Sequence, residues 1–144
     1  MARKRDLWIF SSDNDSLEGK LQLSFGKSAK SVVGIEKLVN IFVHIFLTEL
    51  KSDNVYKDIG TEISSSIGGN ITFNRVAFEA MLNKDINRSV KAVKKDQVGA
   101  LPDESLDYVE LLDFSISKDT IDISLAVVSL AGVSRKVIVP NTFN

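Results

Sequence analysis

The sequence predicts an α+β fold in which two main helices pack on an antiparallel β-meander, with an N-terminal β-hairpin arm. Two apolar patterns of helical period occupy residues 34–50 and 74–97. Three β-type runs joined by short connections fill the last third of the chain. Because the helices come before the run of strands, helices packed on one antiparallel sheet are the expected arrangement.

The N-terminal arm is predicted from one short apolar run and one alternating run. Leu7 to Phe10 is apolar and is followed by polar, loop-forming residues, whereas Lys20 to Phe25 alternates apolar and polar side chains. These runs predict a hairpin with a long loop. An isolated hairpin is only marginally stable in water, so we expect it to lie on its own chain or on a neighbour. We therefore divide the chain into an arm, residues 1–33, and a main domain, residues 34–144.

The first predicted helix, residues 34–50, is apolar over most of its circumference. Its polar side chains recur every fourth position and form one stripe: Glu36, Asn40, His44 and Thr48. A helix of this kind is buried on most sides. We therefore expect it to pack against both the sheet of its own chain and a partner.

The second predicted helix begins after Asn74, a residue suited to capping, and runs to about Gln97. Its inner face carries Phe78, Leu82, Ile86, Val90 and Val93. Another face carries Lys84, Arg88, Lys91 and Lys95. Gly99 and Pro102 end the helix.

The last third predicts three antiparallel strands, Leu106 to Ile116, Thr120 to Leu130 and Val133 to Val139. Their connections are three and two residues long, which is typical of neighbouring strands in a meander. In the middle strand apolar side chains alternate with small or polar ones, so one face is expected to be buried.

Composition excludes several classes of site. The 144 residues include no cysteine and one histidine, so disulfides, thiolate metal sites and His-rich metal sites are excluded. The apolar run after the basic N-terminus is too short for a signal peptide, and Ile41 to Leu47 is far too short for a membrane span. We expect a reduced protein made in the cytoplasm, with no membrane partner.

No constellation of residues predicts catalysis. Strand alternation is expected to place Asp107 and Asp113 on one face and Glu110 on the other, which disfavours a shared metal site. His44 lies in the polar stripe of an apolar helix, where a structural role is expected. We predict no catalytic residue, no cofactor, no metal and no enzymatic activity.

Charge is distributed unevenly along the chain. Residues 84–96 include five basic and two acidic residues, a net charge of +3, and residues 103–122 include seven acids and one lysine, a net charge of −6. Two interpretations stay open. The two surfaces are solvated and balance within the fold, or they are complementary surfaces in a ring or stack. Nucleic acid is not an expected partner, since the basic face lacks interleaved aromatics and the adjacent sheet is acidic.

One segment carries a family resemblance. Its motifs are Gly34 to Asn40 at the start of a helix, Phe46-Leu47-Thr48-Glu49-Leu50 at its end, then Asp53, Tyr56, Asp58, Ile59-Gly60-Thr61 and Ile67-Gly68-Gly69-Asn70. These motifs resemble the small baseplate wedge family of contractile phage tails, historically called lysozyme-like. The resemblance covers roughly residues 34 to 139, including the final meander. The family's acidic-Pro-Arg signature is not matched, because residues 101–106 contain proline and acids without arginine.

The resemblance implies a structural role in the virion, at the tail baseplate. Such proteins are present in multiple copies around the tail tube, bind larger wedge proteins and offer a strand to the first sheath ring. The expected partners are therefore other baseplate wedge proteins and the tail tube and sheath proteins. The residues expected to contact these partners are Ile41, Val43, Phe46, Leu47, Tyr56, Gly60, Thr61, Pro102, Glu104, Val137 and Val139.

Two other roles remain open alongside this one. A tail completion or tube-end protein would follow the same assembly logic and would differ in its position along the tail. An intracellular adaptor with the same fold would bind a host protein outside any virion.

Overall fold

The fold class predicted from the sequence is confirmed by the computed structural model, which describes residues 6–7, 10–12, 18–23, 31–52, 55, 57, 59–63, 74–116 and 120–142. Its elements are β1 (Asp6–Leu7), β2 (Phe10–Ser12), β3 (Glu18–Leu23), β4 (Ser31–Val32), α1 (Ile35–Leu47), α2 (Arg75–Lys95), β5 (Leu106–Ile116), β6 (Thr120–Ser129) and β7 (Ser134–Thr142). Helices α1 and α2 pack on the sheet that contains β5, β6 and β7.

The meander forms one side of a five-stranded sheet in the order β2-β3-β7-β6-β5. Strand β6 pairs antiparallel with both β5 and β7, as its short connections predict. In the arm, β2 pairs antiparallel with β3, so a hairpin is present, but its first strand is Phe10–Ser12 and not the predicted Leu7 to Phe10. Strand β1 pairs antiparallel with β4 instead, and β3 pairs in parallel with β7. The backbone of the arm therefore extends the sheet of its own chain.

The core lies between the helices and the inner face of the sheet. Ile121, Ile123, Leu125 and Val127 alternate along β6 and are at most 2% exposed. They belong to the same buried cluster as the apolar side chains of α1 and α2. Burying one such side chain contributes roughly 1.5–3 kcal/mol of apolar transfer free energy, so β6 anchors the helices to the sheet.

Helix α1 is buried mostly by its own chain. Its buried side chains are Leu38, Val39, Asn40, Phe42, Val43 and Phe46. Contacts with α2, β6 and β7 cover this surface. The expected polar stripe is divided, since Asn40 is 4% exposed whereas His44 is exposed. The apolar circumference that predicted an outside partner is thus largely buried within the chain.

Helix α2 lies along β5 in the opposite direction. At its start, Phe78 packs on Phe114 with ring centroids 5.3 Å apart, and the Arg75 guanidinium lies 4.3 Å from the centre of the Phe114 ring. At its end, the Gln97 side chain donates to the Glu104 carbonyl and accepts from the Leu106 amide. The predicted inner face is confirmed, with Leu82, Ile86 and Val93 buried.

Two bulges in β5 change which of its side chains share a face. The register with β6 shifts between Leu106 and Tyr108 and again between Leu111 and Asp113. Glu110 pairs with Ala126 and Asp113 pairs with Ser124, so both acids lie on the outer face of the sheet. The prediction that Glu110 and Asp113 point to opposite faces was wrong, because the extra residue, Leu112, reverses the alternation.

None of the helices in the described part of the chain has the length and apolar character needed to cross a membrane.

The N-terminus of α2 provides a first test of the fold. The Asn74 side chain accepts hydrogen bonds from the amides of Val76 and Ala77 at 3.0 and 3.3 Å. Asn74→Ala should lower the free energy of unfolding by about 1 kcal/mol, because these amides lose their acceptor. The matched control is Asn83→Ala within the same helix, which should change stability by only a few tenths of a kcal/mol or increase it. Urea denaturation measures both, and equal losses would contradict the capping role.

Candidate interaction site

The chain leaves α1 through a hydrogen-bonded connection centred on Thr61. The Thr61 hydroxyl donates to the Phe46 carbonyl at 2.7 Å, and the Thr61 amide donates to the Thr48 carbonyl at 2.8 Å. The Leu50 amide donates in turn to the Thr61 carbonyl at 2.9 Å, and Glu49 and Thr61 form an isolated parallel bridge. We call this set of contacts the Thr61 connection. It ends α1 at Leu47, three residues before the predicted end, because the next carbonyl and amide groups bond to Thr61.

Gly60 allows the two segments to approach each other. Its φ is 117°, and a Cβ atom at this position would lie 2.7 Å from the Thr48 carbonyl oxygen. Glycine is the residue that combines this backbone conformation with such a close approach. Gly60 and Thr61 therefore make a structural contribution inside the chain.

Asp85 of α2 binds the backbone directly after the Thr61 connection, at Glu62. Its carboxylate is fully buried, accepts the Glu62 amide at 3.1 Å and lies 3.4 Å from the Arg88 guanidinium. Burial raises the pKa of Asp85 above its ordinary 3.8, against the opposing effects of the Glu62 hydrogen bond and the Arg88 charge. Arg88 is thereby positioned on the side of α2 that faces Leu50, Val55 and Ile59.

Glu104 joins the start of α1 to the start of β5. It is 6% exposed, and its two carboxylate oxygens accept the Gly34 amide at 3.1 Å and the Lys37 ammonium at 2.9 Å. A carboxylate at the N-terminus of α1 also interacts favourably with the positive end of the helix dipole. Residue 104, which the resemblance implied to be a partner contact, is thus occupied within the chain.

The residues expected to bind partners differ in their exposure. Seven are buried in the chain itself: Val43, Phe46, Gly60, Thr61, Glu104, Val137 and Val139. Ile41 is partly buried against the core, whereas Leu47 and Pro102 are exposed. Tyr56 lies outside the described residues. The surface that this set leaves for a partner therefore comprises Leu47 and Pro102, with part of Ile41.

A basic cleft of about 620 Å³ opens between α2 and the segment that follows α1. Its described cationic lining residues are Lys51, Lys57, Arg88, Lys91 and Lys95, and Asp96 is the acid among them. Its apolar lining residues are Leu50, Val55, Ile59 and Ala92. We call this the basic cleft. Asp53 and Asp58, adjacent in sequence, lie outside the described residues.

The sequence pattern predicted three of the five described cations of the basic cleft. Arg88, Lys91 and Lys95 belong to the predicted basic face of α2, although Lys84 of that face does not line the cleft. Lys51 and Lys57 were missed, because they lie in an irregular segment that has no period. Their place opposite α2 depends on the Thr61 connection and on the buried Asp85.

Lys51 adopts a backbone conformation that favours glycine. Its φ is 67°, and the Ser52 amide donates to the Glu49 carbonyl at 3.1 Å, so Lys51 occupies the third position of a tight turn. A residue with a side chain in this region costs roughly 1–2 kcal/mol relative to the right-handed region. Lys51 occupies this position despite that cost, and its side chain lines the basic cleft.

The outer strand β5 presents a second surface. It carries Tyr108 and Leu112, which are 50% and 43% exposed, beside the exposed acids Asp107, Glu110 and Asp113. We call Asp107, Glu110 and Asp113 the acidic rim. Within the described strands the far edge of β5 has no pairing partner. Charge, apolar area and open backbone groups therefore coincide on this strand.

The described residues include no group of three or more His, Asp or Glu side chains placed to hold a metal ion. His44 is exposed on the last turn of α1, and its carbonyl accepts the Thr48 hydroxyl at 2.7 Å. The two charged surfaces are the features with evident capacity for recognition.

Comparison of the chain with protein-family models, with curated proteins and with solved structures gives no match. The resemblance to baseplate wedge proteins therefore rests on the residues quoted from the sequence.

The close approach at Gly60 can be tested with a matched pair of substitutions. Gly60→Ala should lower the free energy of unfolding by about 3 kcal/mol, because it adds a steric overlap to an unfavourable φ. Gly99→Ala should lower it by about 1 kcal/mol, since Gly99 also has a positive φ but a Cβ atom there would meet nothing within 4 Å. Urea denaturation gives both values. Equal losses would show that the two segments do not approach closely.

The buried Asp85 predicts a pH dependence of stability. Because its pKa is raised in the folded state, the folded protein binds more protons than the unfolded one just above pH 3.8. The stability of the native protein should therefore fall, relative to Asp85→Asn, as pH rises from 3.8 through the raised pKa. Urea denaturation across this range measures the difference. A difference that is constant with pH would contradict a raised pKa.

Asp85→Ala separates this charge effect from the hydrogen bond. Alanine removes the acceptor of the Glu62 amide, whereas the amide oxygen of asparagine retains it. Asp85→Ala should therefore be less stable than Asp85→Asn by about 1–3 kcal/mol at every pH.

Proposed function

We propose that this protein is a structural subunit of a phage tail baseplate. In this role it packs against wedge-core proteins and the tail tube, and it offers a strand for attachment of the first sheath ring. The open edge of β5 is the observation that carries the proposal, since an unpaired edge can accept a strand from another chain.

The geometry favours β5 over β7 as the strand that is offered. Strand β7 is flanked by β6 and by β3, and Val137 and Val139 point into the core. Strand β5 is 11 residues long and is flanked by β6 on one side alone among the described strands. Its exposed Tyr108 and Leu112 supply apolar area beside the open backbone groups.

The shape of β5 supports a selective contact. Bulges and charged side chains on an edge strand discourage indiscriminate pairing. Strand β5 has both, with one bulge at its start, another at its middle, and the acidic rim between residues 107 and 113. Only a strand that matches the bulged register and tolerates the acids completes this sheet, as expected for attachment at a fixed place in a particle.

The residues of the family resemblance support the same proposal in a different way. Thr48 and the pair Gly60-Thr61 are part of the Thr61 connection, which fixes the path of the chain after α1. These residues therefore act together, because the later segment supplies the hydrogen bonds that end helix α1.

The proposal is tested by locating the protein in tail particles purified from the source that encodes it. Gold-labelled antibody should mark the baseplate end of the tail. A label at the opposite end of the tube would indicate a completion protein instead. Absence of label from both ends, with the protein recovered outside particles, would contradict an assembly role.

Leu112→Lys provides a residue-level prediction for strand attachment. A lysine in the bulge replaces exposed apolar area on the open edge and should reduce incorporation into tails by about tenfold, as for a central interface residue. Leu130→Lys, at the exposed turn after β6, is the matched control and should incorporate normally. Quantitative immunoblots of purified tails measure both variants. Equal incorporation of the two variants would exclude the β5 edge.

A further inference from the structure

The cations of the basic cleft have few partners within their own chain. Among the described residues, Lys51, Lys57, Lys91 and Lys95 form no ion pair, whereas Arg88 pairs with Asp85 at 3.4 Å. The described lining thus holds five cations, one acid and four apolar residues. Such a lining favours an occupant that carries several negative charges together with apolar side chains.

The acidic rim has the complementary composition. Asp107 and Glu110 form no ion pair with other described residues, and Asp113 forms one exposed pair with Arg75 at 3.2 Å. Glu110 and Asp113 share the outer face of the sheet because of the bulge at Leu112. Exposed Tyr108 and Leu112 lie beside them. Acids and apolar side chains therefore alternate on one accessible strand.

We propose that the basic cleft receives the acidic rim of a second copy of this chain. Lys91 and Lys95 of one copy face Glu110 and Asp113 of the next, and Tyr108 enters the apolar part lined by Leu50 and Val55. Single exposed ion pairs contribute little, so the contact depends on several pairs acting with this apolar burial. The inference rests on the proposed assembly role and specifies how copies of the subunit meet.

The two surfaces are different parts of the molecule, which determines the form of the assembly. A contact between unlike surfaces is head-to-tail, and it produces a ring when the rotation between copies closes. The contact also leaves the edge of β5 open. An added strand lies in the plane of the sheet, whereas Glu110 and Asp113 project from its outer face.

Sedimentation velocity of the purified protein tests the contact. The protein should associate beyond a dimer at low ionic strength, and raising NaCl from about 50 to about 500 mM should weaken association about tenfold through screening. Lys91→Gln/Lys95→Gln and Glu110→Gln/Asp113→Asn should each be monomeric under the same conditions. A wild-type protein that stays monomeric, or variants that associate equally well, would overturn the proposal.

Mixing the two neutralised variants gives a sharper result. One variant retains an intact basic cleft and the other an intact acidic rim, so a single good contact is possible between them. The mixture should form a 1:1 complex that does not grow, because each remaining surface lacks its partner. Growth beyond a dimer, or no complex, would contradict a head-to-tail contact between these two surfaces.

Lys51→Gly separates binding from folding. The substitution removes a cation from the basic cleft and places glycine at a φ of 67°. The variant should therefore be at least as stable as the wild type in urea, yet should associate several-fold more weakly. Unchanged association would exclude Lys51 from the contact and overturn the occupant proposed for this part of the cleft.

Titration with other anions tests whether the basic cleft binds something other than a second copy of the chain. A fluorescent single-stranded oligonucleotide and inorganic phosphate are titrated into the wild type and into Lys91→Gln/Lys95→Gln. Cleft-dependent binding of either probe by a protein that remains monomeric would replace the proposal with nucleic-acid or small-anion recognition. If the pure protein self-associates but is absent from tail particles, the baseplate role is rejected and this contact stands. If antibody labels the baseplate but the pure protein is monomeric, this contact is rejected and the baseplate role stands.

Discussion

The Thr61 connection is the constraint on which the arrangement of the helices and the basic cleft depends. One hydroxyl and one amide of Thr61 satisfy carbonyl groups at the end of α1, and its carbonyl accepts the Leu50 amide. Helix ends leave such groups without partners, and burying them unsatisfied is costly. Because Gly60 permits the close approach and Asp85 holds Glu62, the chain after α1 returns toward α2. This path places Lys51, Val55 and Lys57 opposite α2, where they line one side of the basic cleft.

The same frame explains why charge is separated on the surface. Leu82, Ile86 and Val93 turn one face of α2 toward the core, which leaves Lys84, Lys91 and Lys95 exposed on other faces. The inner side of the meander is likewise filled by apolar side chains, so Glu110 and Asp113 are placed on its outer side. Like charges gathered on one surface repel each other. Their separation into two surfaces of opposite sign is well suited to choosing a partner and setting its orientation.

Local patterns predicted the elements but not the links between them. The alternation in β6 and the Asn74 cap of α2 are local, and both were predicted correctly from the sequence. The end of α1 was misplaced, since it is set by Thr61, which lies 15 residues after Phe46. Glu104 was interpreted as a partner contact, although it binds Gly34, 70 residues earlier in the chain. The bulge at Leu112 has no local signal, and it places on one face two acids, Glu110 and Asp113, that were expected on opposite faces.

Native-state hydrogen exchange at the amides of Leu50, Thr61 and Glu62 tests the central claim most directly. These amides donate to Thr61, Thr48 and Asp85, respectively. If the Thr61 connection is part of the cooperative fold, they should exchange only by global unfolding, with protection equal to that of the β6 amides. Exchange through local opening, at rates close to that of the exposed turn residue Gly99, would contradict the account.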